Sequence, residues 1–151
     1  MVPKKQILFG FIFSLLILLI FKFSIFSCTI IFLSSFLIDV DHYFYFVFKK
    51  KNLNPKKAVK FFFSKKYKME KVPKNQRKNY YTGFYFLHGI ETLALMFILG
   101  KFVSPIFFLI FIGFSFHLLL DWFEEISHEK RIDKISLIYD LLKFRRLKEI
   151  E

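Results

Sequence analysis

The chain has 151 residues, 55% of them hydrophobic and 22% aromatic, with a formal charge of +12. Its length allows one domain, and the single cysteine, Cys28, excludes an internal disulfide and a Cys-based zinc site. The apolar residues gather in long blocks and the charges in others, which excludes an ordinary soluble domain and points to an integral membrane protein.

Four apolar blocks occupy residues 7–21, 23–38, 84–100 and 102–123, giving expected spans over about 7–21, 23–40, 84–100 and 102–123. Each approaches the roughly 20 residues that cross a bilayer core. The first follows Lys4 and Lys5, as in the opening of a signal peptide. The residues after Cys28 are apolar again, so the segment is read as retained. Only Lys22 separates the first two blocks. One straight helix over both would be about 48 Å long, too long for an upright crossing. A tight hairpin near Lys22 is expected instead, with Ser24 and Ser27 satisfying loosened backbone groups.

Residues 49–82 carry thirteen Lys or Arg and one acid, Glu70. The positive-inside rule places this segment in the cytoplasm, and four spans then make both termini cytoplasmic as well. The segment is expected to adhere to anionic lipid headgroups, with residues 58–63 forming a short interfacial helix. RNA capture, with Tyr67, Tyr80 and Tyr81 as stacking platforms, is the less favoured alternative, and no nucleic-acid partner is expected. The tail, residues 124–151, has apolar residues from Ile132 to Leu142 at helical spacing and is expected to form an amphipathic helix. His128 is read as solvated. The fold class is therefore all-α: a single membrane domain of about four transmembrane helices, a basic cytoplasmic loop and an amphipathic tail helix.

Three polar clusters interrupt the apolar blocks: Asp39-Val40-Asp41-His42, then His88-Gly89-Ile90-Glu91, then His117 to Asp121. Each supplies residues three or four apart, the spacing that stacks side chains on one helix face. Ionisable groups at a helix centre in the bilayer cost at least about 2.5–3.5 kcal/mol for Asp. Three clusters from three helices at one depth imply mutual neutralisation or a bound ion. Imidazole and carboxylate donors suit a divalent metal, zinc first, with Mn, Fe or Mg as alternatives. One cluster alone would be an ordinary interfacial or capping feature; the three together favour a site. Asp39, Asp41, His42, His88, His117 and Asp121 are the expected ligands. Glu91 is a candidate general base or ligand, and Asp41 a candidate catalytic or bridging carboxylate. Trp122 is read as an interface anchor.

At these residues the chain resembles the family of membrane-bound, metal-dependent hydrolases typified by the LexA-regulated inner-membrane protein YdjM. That family shows a Pro-Asp-x-Asp-His motif, a later His motif and a His-x-x-x-Asp motif. Their counterparts here are residues 38–42, His88 and His117 to Asp121. Ile38 replaces the proline, and the family's His-Arg pair and Thr-His-Ser lack full counterparts around residues 82–91. The resemblance implies metal-dependent hydrolysis and identifies no substrate. The function expected is metal-dependent hydrolysis at the cytoplasmic face of the membrane, on a lipid or a phosphoester. The alternative is a non-enzymatic membrane protein, either a metal-ion carrier or a helix bundle stapled by a structural metal.

Overall fold

The computed structural model describes residues 3–129 and 135–150, with side chains placed for residues 4–127 and 135–150. The chain is mostly helical and divides into two compact units, one from residues up to 38 and 90–123, the other from 39–89 and residues after 123. Among the described residues, three helical stretches are long and apolar enough to cross a membrane: Lys4–Phe21, Ile25–Lys50 and Ile106–Ser127. Large apolar side chains such as Leu19, Ile25 and Phe26 stand well exposed on them. A soluble monomer rarely carries so much exposed apolar surface, and the exposure is consistent with a membrane protein.

The first unit begins with α1 (Pro3–Phe21) and α2 (Ile25–Leu37). The expected hairpin is present: Lys22 adopts a left-handed backbone (φ 53°) and Ser24 caps α2, accepting the Ser27 N–H at 3.1 Å. Gly10 lies against Ser35 and Ile17 packs with Cys28, so the two helices run antiparallel. Ile17, Cys28 and Ile31 form a small core, flanked by Phe13, Leu109 and Ile112. Two further helices, α5 (Ile90–Phe102) and α6 (Ile106–Glu129), complete the unit, with Phe97 packing edge-on to Phe108 at 5.4 Å. The approach of α6 to α2 depends on Gly113, where a Cβ would meet the Ile31 carbonyl oxygen at 2.6 Å. Small residues permit such close backbone approach in membrane bundles.

The third expected span is shorter than its apolar block. Residues 84–89 form a turn, and α5 has 13 residues, about 20 Å at 1.5 Å per residue against a core of about 30 Å. Gly83 and Gly89 bracket this turn. The second stretch is longer than its block, running through the acidic cluster to Lys50 with a two-residue turn at Ile38 and Asp39. Asp39, Asp41 and His42 therefore stand within an apolar helical stretch, not at its end.

In the second unit, α3 (Val40–Lys50) ends at Lys51, whose φ of 49° stops the helix. Asn54 then caps α4 (Pro55–Lys71), accepting from the N–H groups of Lys56 and Lys57, with Pro55 at the first helical position. The expected interfacial helix over residues 58–63 is thus the middle of a 17-residue helix. After it, β1 (Tyr80–Tyr81) pairs in parallel with β2 (Lys148–Glu149), and α7 (Leu137–Phe144) stacks Phe144 on Tyr81 at 4.5 Å. The expected single tail helix is accordingly replaced by the end of α6, the eight-residue α7 and β2. Ile132 and the side chain of His128 lie outside the described residues.

Candidate metal centre

Asp39, His42 and His88 come together in the second unit, each offering one ligand atom within 4.8 Å of the others. Asp39 is the residue before α3, and His42 occupies that helix's first turn, with its N–H on the Asp39 carbonyl at 3.1 Å. His88 arrives from the turn that precedes α5, with its N–H on the Tyr85 carbonyl at 3.3 Å. Asp39 Oδ1 lies 3.4 Å from His88 Nε2 and 3.6 Å from His42 Nδ1. Donors about 2.1 Å from a tetrahedral zinc stand about 3.4 Å from one another, so these separations suit an ion between them. The two imidazole rings lie nearly parallel, 5.1 Å apart, and His42 is walled by Tyr85 at 3.9 Å and Phe62 at 5.4 Å.

Asp41 is fully buried and takes a different position from Asp39. Its Oδ2 accepts the Leu87 N–H and the His88 Nδ1–H, each at 2.9 Å. A carboxylate accepts, so Nδ1 of His88 carries the hydrogen and Nε2 presents its lone pair toward Asp39. This is the carboxylate–histidine relay that orients metal-binding imidazoles. The other oxygen of Asp41, Oδ1, is buried with no hydrogen bond to any described residue. The donor chemistry and tautomer both fit a divalent cation.

In the first unit, His117 and Asp121 lie one turn apart on α6, both nearly inaccessible, with Nε2 to Oδ2 at 3.5 Å. His117 Nδ1 donates to the Ser35 carbonyl at 2.7 Å. Its Nε2 lone pair therefore faces a carboxylate, an arrangement that suits a cation. Glu91 is half-buried in the first turn of α5, two residues beyond the end of the His88 turn, so the helical spacing expected for His88 and Glu91 is not present. Glu91 belongs to no group of metal-competent ligands among the described residues.

A second polar cluster went unread in the sequence. Glu149 Oε1 receives the Tyr45 hydroxyl and the ammonium groups of Lys49 and Lys65. Lys65 is 2% exposed and also donates to the Thr82 carbonyl at 2.7 Å. Burial would raise the Glu149 carboxyl, but the donors from Lys49, Lys65 and Tyr45 outweigh it and hold the pKa at about 2. Burial pushes the Lys65 ammonium down, against the opposing pull of Glu149. The pairing joins residues about a hundred positions apart, and no local spacing announces it.

Compared with protein families, characterised proteins and solved structures, the chain matches none. The family resemblance therefore rests on the letters at residues 39–42, 88 and 117–121.

Proposed function

We propose that this chain is a membrane-embedded, metal-dependent hydrolase acting on a lipid or phosphoester. The observation that carries the reading is the orientation of His88 by the buried Asp41 carboxylate, toward Asp39 and beside His42. Asp39, His42 and His88 would hold the ion, and Asp41 would fix the His88 tautomer. Catalytic sites of this donor chemistry pair three protein ligands with water or substrate, and Asp39, His42 and His88 would supply three such ligands. Zinc is the first choice for this donor set, with Mn, Fe or Mg as alternatives. A divalent ion held by these residues would supply Lewis acidity, for polarising a scissile oxygen and acidifying water. Tyr85 and Phe62 restrict water around His42, and Glu91 is the candidate general base.

The basic, exposed face of α4 would hold the protein against anionic headgroups and concentrate an anionic substrate. With the short α5 as a fourth crossing, both termini and residues 49–82 would lie in the cytoplasm. The rival reading is a structural metal or a metal-ion carrier. Carriers usually hold their site near the bilayer midplane on broken helices, and the turn at Ile38 and Asp39 within Ile25–Lys50 is the observation in its favour.

Elemental analysis of the purified protein beside His42→Ala and His88→Ala tests the ion. Hydrolysis of a lipid and phosphoester panel by wild type and Glu91→Gln tests the chemistry. Stoichiometric metal lost in both His variants, with turnover reduced about 10²–10⁴-fold in Glu91→Gln, is expected. Wild type without metal would reject the reading. Metal without turnover would favour the structural one.

A further inference from the structure

The helix α7 has two faces of different character. Leu137, Asp140 and Phe144 recur at three- and four-residue spacing and form the inward face: Asp140 is buried and Phe144 stacks on Tyr81 at 4.5 Å. Ile138, Tyr139 and Leu142 occupy the opposite face, with Leu141 at its margin, and all four are about half to two-thirds exposed. Eight residues make a marginal helix in isolation, but this one is fixed at both ends. The Ser136 hydroxyl accepts the Tyr139 N–H at 3.3 Å, and β2 follows and pairs with β1. The apolar side chains are thus held outward by the packing behind them.

Charge continues the same face. Arg145 and Arg146 fall just beyond the end of α7, and both are exposed, as is Lys148. Asp140 faces inward and Glu149 receives Lys49 and Lys65, so no acid among residues 135–150 is exposed. The depth of this face follows from β2. Glu149 is bonded to Tyr45 and Lys49, in the last two turns of the apolar stretch Ile25–Lys50. The last positions of a crossing stretch lie at headgroup level, and α7 ends at Phe144, close before the start of β2 at Lys148. A second copy of the chain is the rival occupant. Four partly exposed side chains fall short of the roughly 800 Å² per partner in a stable interface. A symmetric pairing would also bring the two sets of Arg145, Arg146 and Lys148 together.

We propose that the outward face of α7 is a docking surface for an anionic bilayer. Ile138, Tyr139 and Leu142 enter the boundary between headgroups and acyl chains, and Arg145, Arg146 and Lys148 meet lipid phosphates. This contact is separate from that of α4 and requires neither metal nor hydrolysis. It rests on a membrane crossing by Ile25–Lys50, which cysteine labelling on either side of that stretch tests independently.

A nitroxide label on Leu142→Cys, in the full chain with Cys28→Ser, reports the surroundings of this face in nanodiscs. Two relaxing agents separate them: oxygen partitions into lipid, and a neutral nickel chelate stays in water. In discs rich in phosphatidylglycerol the label should be open to oxygen and shielded from nickel. In discs of phosphatidylcholine alone the shielding from nickel should be weaker. Arg145→Gln with Arg146→Gln removes two attractions and should shift the docking equilibrium roughly thirtyfold. Nickel access in phosphatidylglycerol should then rise to the phosphatidylcholine level. Access to both agents in phosphatidylglycerol discs would overturn the proposal, and so would equal shielding in the two lipids. Shielding from both agents would place the face against protein and overturn it too; spin–spin broadening relieved by unlabelled chain would then name a second copy. Should Leu142→Cys fail to assemble into discs, Ile138→Cys carries the label one turn earlier on the same face and is read in the same way.

Discussion

The buried Asp41 carboxylate meets His88 through one oxygen, which accepts both the His88 Nδ1–H and the Leu87 N–H at 2.9 Å. It fixes the turn that delivers the imidazole and the ring nitrogen that remains available. Removing the charge while keeping the shape should weaken metal binding without erasing it. For Asp41→Asn, affinity measured by competition with a chromogenic chelator should fall about 10–100-fold, as for other orienting carboxylates. An unchanged affinity would show that Asp41 does not position His88 for an ion.

Some of this was legible in the sequence and some was not. The hairpin at Lys22 followed from length alone, because two adjacent apolar blocks cannot be one upright span. Asp39, His42 and His88 were picked out because polar letters inside apolar blocks demand partners. The division of labour between Asp39 and Asp41 was not readable, since it depends on a turn at Ile38 and Asp39 that leaves no sequence mark. The extent of α5 was misjudged because apolar residues 84–89 are equally compatible with helix and with a turn whose backbone N–H finds a buried carboxylate. The Glu149 cluster was invisible because it joins α3 and α4 to a two-residue strand.

Helix packing in the first unit should depend on Gly113. A Cβ there would lie 2.6 Å from the Ile31 backbone oxygen and 2.0 Å from Ser34 Oγ. Backbone cannot rotate away, so Gly113→Ala must separate α6 from α2. At Gly10 the nearest atom is the Ser35 hydroxyl at 2.2 Å, a group that can turn. Gly113→Ala should lower thermal stability in detergent by about 1–3 kcal/mol, the usual cost of overpacking. Gly10→Ala should cost less, and the reverse order would reject the close α2–α6 contact.

Glu149 gives the second unit a dependence on acid. Its folded pKa is about 2, below the unfolded Glu value of about 4.3. The stabilisation is fully present above the unfolded pKa and is lost as pH falls toward the folded one. The melting temperature of wild type should therefore exceed that of Glu149→Gln near pH 6. The difference should shrink steadily between about pH 5 and 2. A gap independent of pH would mean that the carboxylate charge is not what the lysines hold.

Topology can be tested at two lysines. With Cys28→Ser as background, Lys22→Cys should label from outside the cell and Lys66→Cys only after permeabilisation. Lys22 lies in the α1–α2 turn and Lys66 on α4, so one apolar stretch, Ile25–Lys50, stands between them. External labelling of both would contradict a crossing by that stretch.

The outer face of α4 should rest on anionic lipid. Val59, Phe63 and Tyr67 recur every four residues and are about half exposed or more, so they form one stripe. Lys56 and Lys60 flank it, both exposed, and Lys71 lies over the Tyr67 ring at 4.4 Å. The opposite face, with Ala58, Lys65 and Met69, is already buried. An apolar stripe edged by lysines matches a bilayer surface, where aromatic rings enter the headgroup layer and ammonium groups meet phosphate. A Phe63→Trp reporter in a Trp122→Phe background places one tryptophan in that stripe. Its fluorescence should be quenched by brominated lipid in nanodiscs rich in phosphatidylglycerol, and less so in phosphatidylcholine. Lys56→Gln with Lys60→Gln removes about 2 kcal/mol of attraction, enough to shift a contact equilibrium more than about tenfold. Quenching in anionic discs should then fall to the phosphatidylcholine level. Strong quenching by aqueous acrylamide in both lipids would show the stripe facing water. Protection by added RNA instead of lipid would assign the basic face to nucleic acid.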